Sequence, residues 1–140
     1  MSETLTLSPN PANKCFGCGG DNGGGMKLTF EQDNLNRRIV GRFVLGERYQ
    51  GGGGFAHGGI IAVLLDEAMG KVCRFREVRA VTAELTVQYL KPVSVQQEII
   101  VEGRETEMKG RNLFMAGEIR DESGGILAKG TARFVIIAQK

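Results

Sequence analysis

The sequence predicts an α+β domain in which a curved antiparallel sheet of five or six strands wraps around one long, buried helix. Three observations carry that expectation. Residues 58–75 place apolar side chains around most of a helical circumference, at Ile60, Ile61, Val63, Leu64, Leu65, Ala68, Met69, Val72, Cys73 and Phe75. A helix patterned this way is enclosed on nearly all sides. Beyond it the period drops to two, and residues 80–93, 96–107, 112–122 and 126–138 each read as a long strand. Runs of consecutive strands with one segregated helix indicate an antiparallel sheet rather than alternating strand–helix units.

The remaining elements follow in order. Residues 1–14 read as a flexible arm, because Pro9 and Pro11 discourage regular structure. Residues 15–140 then form one domain, a size that buries a real core. The segment CFGCGGDNGGG (15–25) is loop chemistry. Residues 26–32 and 37–45 alternate apolar and polar side chains, and DNLN between them supplies turn residues, so a hairpin is expected. Pro92, MKGR and ESGG punctuate the later strands.

Composition narrows the function classes. A net charge of +2 with scattered basic residues argues against nucleic acid, and 6% aromatic residues without tryptophan argue against a base-stacking surface. The opening MSETLTLSPNPANK lacks the basic and apolar runs of an export signal, and no stretch approaches a membrane span. Three cysteines in such a chain fit reduced thiols, so a cytoplasmic location with no membrane partner is expected.

Chemistry concentrates in GGGGFAHGGIIAVLLDEAMG (51–70), which holds the only histidine of the chain. Gly51, Gly53 and Ala56 match a dinucleotide-binding spacing, but no alternating strand–helix units follow, so nucleotide binding is set aside. Cys15 and Cys18 form a CxxC pair. Zinc needs four ligands, and Cys73 and His57 lie in or beside the apolar helix, poorly placed to complete the set. A tight turn with two half-buried thiols is the favoured reading, two pairs meeting across a dimer the alternative, and neither metal nor cofactor is expected.

His57, Gly58 and Gly59 sit where the helix begins. The first amides of a helix lack internal acceptors and occupy the positive end of its dipole, and the glycines admit a ligand close to the backbone. A carbonyl-binding site is expected there. Asp66 is a carboxylate within an apolar helix, costly unless solvated or hydrogen-bonded. Glu67 aligns with Lys71 and Arg74 on a solvated stripe, which leaves Asp66 as the functional acid. Nine residues separate His57 from Asp66, about 13–14 Å along a helix axis and about half a revolution around it. One small substrate cannot meet both within one chain. Two chains packing their helices antiparallel about a two-fold axis bring them together, which predicts a homodimer.

HGGIIAVLLDEAMG followed by TAELTVQYLKPV resembles the hotdog-fold acyl-CoA thioesterases of the phenylacetate-pathway and human mitochondrial thioesterase type, and CFGCGGDNGGGMKLTF resembles their N-terminal stretch. The resemblance covers residues 15–137. It implies a hotdog fold, dimers forming a continuous double sheet and sometimes pairing into tetramers, and metal-free hydrolysis of acyl-CoA. By position it makes Asp66 the nucleophile or the general base for water, Gly58 the amide that polarises the thioester carbonyl, and His57 the group that orients substrate or thiolate. Thr82 matches a hydroxyl that positions the attacking water. Some members carry an asparagine before HGG; here Gln50 is the nearest amide. Lys91, Lys109 and Arg111 are candidates for the phosphates of coenzyme A, and Met26, Phe30, Phe55 and Met69 for an acyl or aryl pocket. An acyl-CoA sensor without turnover and a hydroxyacyl-thioester dehydratase, with His57 as base and Asp66 or Glu67 as acid, are the alternatives.

Overall fold

The computed structural model describes residues 3–140. Seven strands form one antiparallel sheet: β1 (Thr4–Leu7), β2 (Phe30–Asp33), β3 (Arg38–Val44), β4 (Val78–Tyr89), β5 (Glu98–Lys109), β6 (Asn112–Asp121) and β7 (Ile126–Gln139). Their spatial order is β1-β2-β3-β5-β6-β7-β4. The single α-helix, α1 (Gly58–Lys71), lies against the inner face and passes into a 3-10 segment, Val72–Arg76. The α+β hotdog architecture expected from the sequence is therefore present, with three differences of detail.

The sheet has seven strands rather than five or six, because β1 lies inside the stretch read as an arm and pairs with β2 from Thr4↔Asp33 to Leu7↔Phe30. Pro9 and Pro11 fall beyond it and do not interrupt the pairing. The strand expected over 26–32 shortens to Phe30–Asp33, since Lys27 takes a left-handed φ of 52° that extended pairing does not tolerate. The α-helical portion stops at Lys71 rather than residue 75, tightening into 3-10 turns that end on Glu77 at φ 53°.

Ile61, Leu64, Leu65, Ala68 and Met69 form the sheet-facing side of α1 and are buried. They pack among Ile39, Val101, Leu113, Met115, Ile119 and Phe134 of the sheet. The helix sits low because the strands beneath it carry a rib of glycines in register, Gly103↔Gly117 on β5–β6 and Gly117↔Gly130 on β6–β7. A Cβ at Gly103 would lie 2.7 Å from the backbone carbon and oxygen of Ala68, and one at Gly117 or Gly130 would crowd Met69 and Leu65. Backbone cannot rotate away as a side chain can, so Gly103→Ala is expected to lower unfolding free energy by about 1–3 kcal/mol. Denaturant unfolding at constant m-value measures it. An unchanged midpoint would remove the rib from this account of the packing.

Candidate functional site

The approach to α1 is built by the glycine run. Gly53 and Gly54 adopt φ of 75° and 82°, which lets the chain turn back on itself. Backbone bonds then close the loop: Gly51 N–H donates to Phe55 O at 2.7 Å and His57 N–H to Tyr49 O at 2.8 Å. His57 thus becomes the N-cap of α1, with Nδ1 accepting from Gly59 N–H at 2.9 Å. That bond places the ring proton of neutral His57 on Nε2. It also occupies the Gly59 amide, whereas the Gly58 N–H remains one of the first-turn donors without an intrahelical acceptor. Tyr89 steadies the same turn, its hydroxyl donating to Gly58 O at 2.8 Å. Gln50 lies beside this mouth through the Gln50↔Ala56 bridge.

Two turns into the helix, Asp66 Oδ1 accepts a 2.7 Å hydrogen bond from Thr82 Oγ1 on β4. Strand alternation alone would put Thr82 and Tyr89, seven residues apart, on opposite faces of the sheet. A register shift between Thr82 and Glu84 makes Ala83 an extra residue and inverts the alternation. Both hydroxyls consequently face α1, one at its mouth and one at its middle. No ion pair to Asp66 forms among the described residues.

Asp66 and Thr82 line a cleft of about 480 Å³ between α1 and β4. Lys71, Arg74, Arg79 and Lys140 also line it, a cationic setting that the sequence, read strand by strand, did not disclose. Lys91 and Arg111, expected at the phosphates of coenzyme A, do not line this cleft. Lys91 follows β4 near the helix mouth, its N–H donating to Leu127 O, while the Arg111 guanidinium is engaged by Ile136 O at 2.9 Å. Of the side chains expected to line an acyl pocket, Phe30 and Met69 are fully buried in the core. Phe55 is exposed, and Met26 lines a separate groove with Phe43 and Tyr49.

Glu67 departs most from expectation. Instead of lying on a solvated stripe it is half-buried beneath the CxxC loop, with Cys15 Sγ 3.6 Å from Glu67 Oε1. Burial and the adjacent Glu67 carboxylate push the Cys18 thiol up to about 12. Burial likewise pushes the Cys73 thiol up to about 11. The chain spacing of 49 residues between Cys18 and Glu67 hid this cluster from sequence reading.

Residues 53–128 match the family profile of the thioesterase superfamily. Over 116 residues the chain is 32% identical to the Rattus norvegicus protein named acyl-coenzyme A thioesterase THEM4, covering 82% of this chain and 50% of that one. The chain spans about half the length of the curated relatives of that name. Among solved structures, the thioesterase superfamily protein RHA08564 superposes with a TM-score of 0.80 at 26% identity, over 87% of this chain and 60% of that one. The Streptococcus mutans UA159 protein smu.793, solved bound to acetyl CoA, gives a TM-score of 0.71 at 21% identity, over 74% and 83% of the two chains.

Proposed function

The chain belongs to the thioesterase superfamily, and on that footing we propose that it hydrolyses acyl-CoA thioesters to free acid and coenzyme A, at reaction centres each shared by two copies of the chain. The observation that carries this reading is the placement of Asp66. A carboxylate held by Thr82, in no ion pair among the described residues and opening on a cleft, is poised to act on a substrate. The name of the rat relative supports the substrate class.

In this reading the thioester carbonyl accepts from the Gly58 N–H, which polarises it and holds the oxyanion that develops on attack. Asp66 supplies either the attacking oxygen or the base that takes a proton from water, and the coenzyme A thiolate departs. Gly58 and Asp66 are eight residues apart on one helix, about 12 Å of axial rise. The Asp66 of one copy therefore serves the Gly58 of another.

Two features favour such a dimer. β4 ends the sheet order, so one side of a 12-residue strand is unpaired, and Val81 and Tyr89 on it are 49% and 55% exposed. A long open edge of this kind is a template for a second strand. Gly59, Val63, Asp66 and Gly70 also follow one another at helical spacing along a flank of α1 that the sheet leaves incompletely covered. Its small side chains admit a second helix at close approach. Pairing of dimers into tetramers follows the family resemblance. No helix among the described residues is long and apolar enough to cross a membrane, and the three free cysteines favour a reducing compartment such as the cytoplasm.

The dehydratase alternative loses support from His57. Nδ1 is engaged by Gly59 N–H and Nε2 carries the proton, so the ring offers no free lone pair to a substrate. Its Nε2–H is suited to donate toward the carbonyl or the departing thiolate.

The test is a panel of aryl, short-chain and long-chain CoA thioesters with a thiol-detecting reagent. Release of free thiol from at least one class is expected. Hydration of an enoyl-CoA without thiol release, or binding without turnover across the panel, contradicts the proposal. Within it, Thr82→Val removes a hydrogen bond to a charged group, worth about 1.5–3 kcal/mol. The expected result is a fall in kcat of about 10- to 100-fold with KM little changed; a selective rise in KM would move Thr82 to substrate binding.

A further inference from the structure

We propose that Cys15, Cys18 and Glu67 bind one thiophilic divalent cation of the zinc type, which fastens the N-terminal loop to α1. The three potential ligand atoms all lie within 4.8 Å of one another. A tetrahedral zinc with Zn–S of about 2.3 Å and Zn–O of about 2.0 Å requires sulfur–oxygen separations of about 3.5 Å. Cys15 Sγ and Glu67 Oε1 stand 3.6 Å apart, so a metal enters without moving either element far. Two thiolates select a soft ion over magnesium or calcium, and a water completes four-coordination.

The surroundings are shaped for this contact. Gly17 lies between the two cysteines, and a Cβ there would collide with the Oε1, Cδ and Cγ atoms of Glu67. The chain therefore omits a side chain at the point where the carboxylate enters the loop. The loop's own shape is held by hydrogen bonds within it. Cys15 N–H donates to Asn13 Oδ1 at 2.7 Å, Gly19 N–H to Cys15 O at 2.8 Å, and Leu28 N–H to Gly17 O at 2.9 Å. Both thiols are thus presented on one side of a preorganised turn.

Charge also balances. Two thiolates and one carboxylate around a divalent ion leave one negative charge, and Lys71 lies one helical turn beyond Glu67 to complement it. A disulfide between the two cysteines would have no use for the carboxylate. The ligand that the CxxC motif lacked in the sequence is Glu67, brought from 49 residues away by the packing of the loop on α1. This inference does not depend on the proposed hydrolysis.

The experiment uses the untagged full chain, stripped by a chelator under reducing, anaerobic conditions and titrated with Co(II). The expected result is one equivalent bound per chain, with a near-ultraviolet thiolate-to-cobalt band and the strong visible bands of tetrahedral cobalt, both displaced by Zn(II). Cys15→Ser and Cys18→Ser should each lose about half of the thiolate band, as removal of one of two sulfurs requires. Glu67→Gln should keep the band but weaken binding at least about tenfold, the minimum expected when a group supporting the ion is lost. Cys73→Ser should leave the spectrum unchanged. The proposal is overturned by a stripped wild-type chain that gives no thiolate band, by an unchanged band in either serine variant, or by unchanged affinity in Glu67→Gln. The wild-type titration decides the matter even where a variant does not fold.

Discussion

Asp66→Asn is expected to lower acyl-CoA hydrolysis by about 10²–10⁴-fold, the range spanned by loss of a positioned base, while leaving a folded dimer. Asparagine is nearly isosteric with aspartate, and its Oδ1 still accepts from Thr82 Oγ1 as the carboxylate does at 2.7 Å. What disappears is the charge, and with it the ability to attack a carbonyl or take a proton. No cation is paired with Asp66 among the described residues, so no partner is left stranded. Stability should remain within a few tenths of a kcal/mol. Steady-state thiol release beside size-exclusion and thermal unfolding separates the two effects. Full activity in a well-folded variant rejects Asp66 as the reacting carboxylate.

Gly58→Pro should have the second largest effect, a loss of about 10²–10³ in kcat, the magnitude associated with deleting one oxyanion donor. Proline is normally a helix breaker, but Gly58 is the first residue of α1, where no intrahelical bond uses its N–H. The residue before a proline must be extended, and His57 already is, at φ −62° and ψ 134°. The substitution thus removes a single hydrogen atom's worth of chemistry from an otherwise preserved helix start. Gly58→Ala is the control, because it keeps the amide and its Cβ meets Tyr89 Oη at an ordinary 3.5 Å. Near wild-type turnover is expected from alanine. Equal losses in both variants would indicate crowding of the site rather than a missing donor.

Much of this was legible in the sequence, for a definite reason. The apolar run of α1 and the period-two strands record burial directly, and a histidine flanked by glycines marks a helix mouth before any coordinates are known. Helical spacing sets Asp66 off the line of Lys71 and Arg74, but the solvated stripe it gives Glu67 is not what the fold shows. The arrangement of β4 was not legible, because a bulge at Ala83 leaves no mark on composition yet decides that Thr82 and Tyr89 face the helix together. Strand β1 escaped notice since four residues of alternating Thr and Leu are too short to outweigh two nearby prolines. The glycine rib at Gly103, Gly117 and Gly130 becomes visible only once register is known. Periodicity places Glu67 in solvent because it describes one helix and says nothing of the loop that covers it.

Active-site complementation between two damaged chains is the most direct test of a centre built from two copies. Asp66→Asn and Gly58→Pro chains are co-expressed under different affinity tags, and dimers carrying both tags are purified. Each mixed dimer pairs the intact Asp66 of one chain with the intact Gly58 of its partner at one centre, while the other centre carries both lesions. Recovery of about half the wild-type rate per dimer is the predicted result. Mixed dimers as inactive as their two parents would show that each chain acts with its own Gly58 and Asp66, contradicting the account.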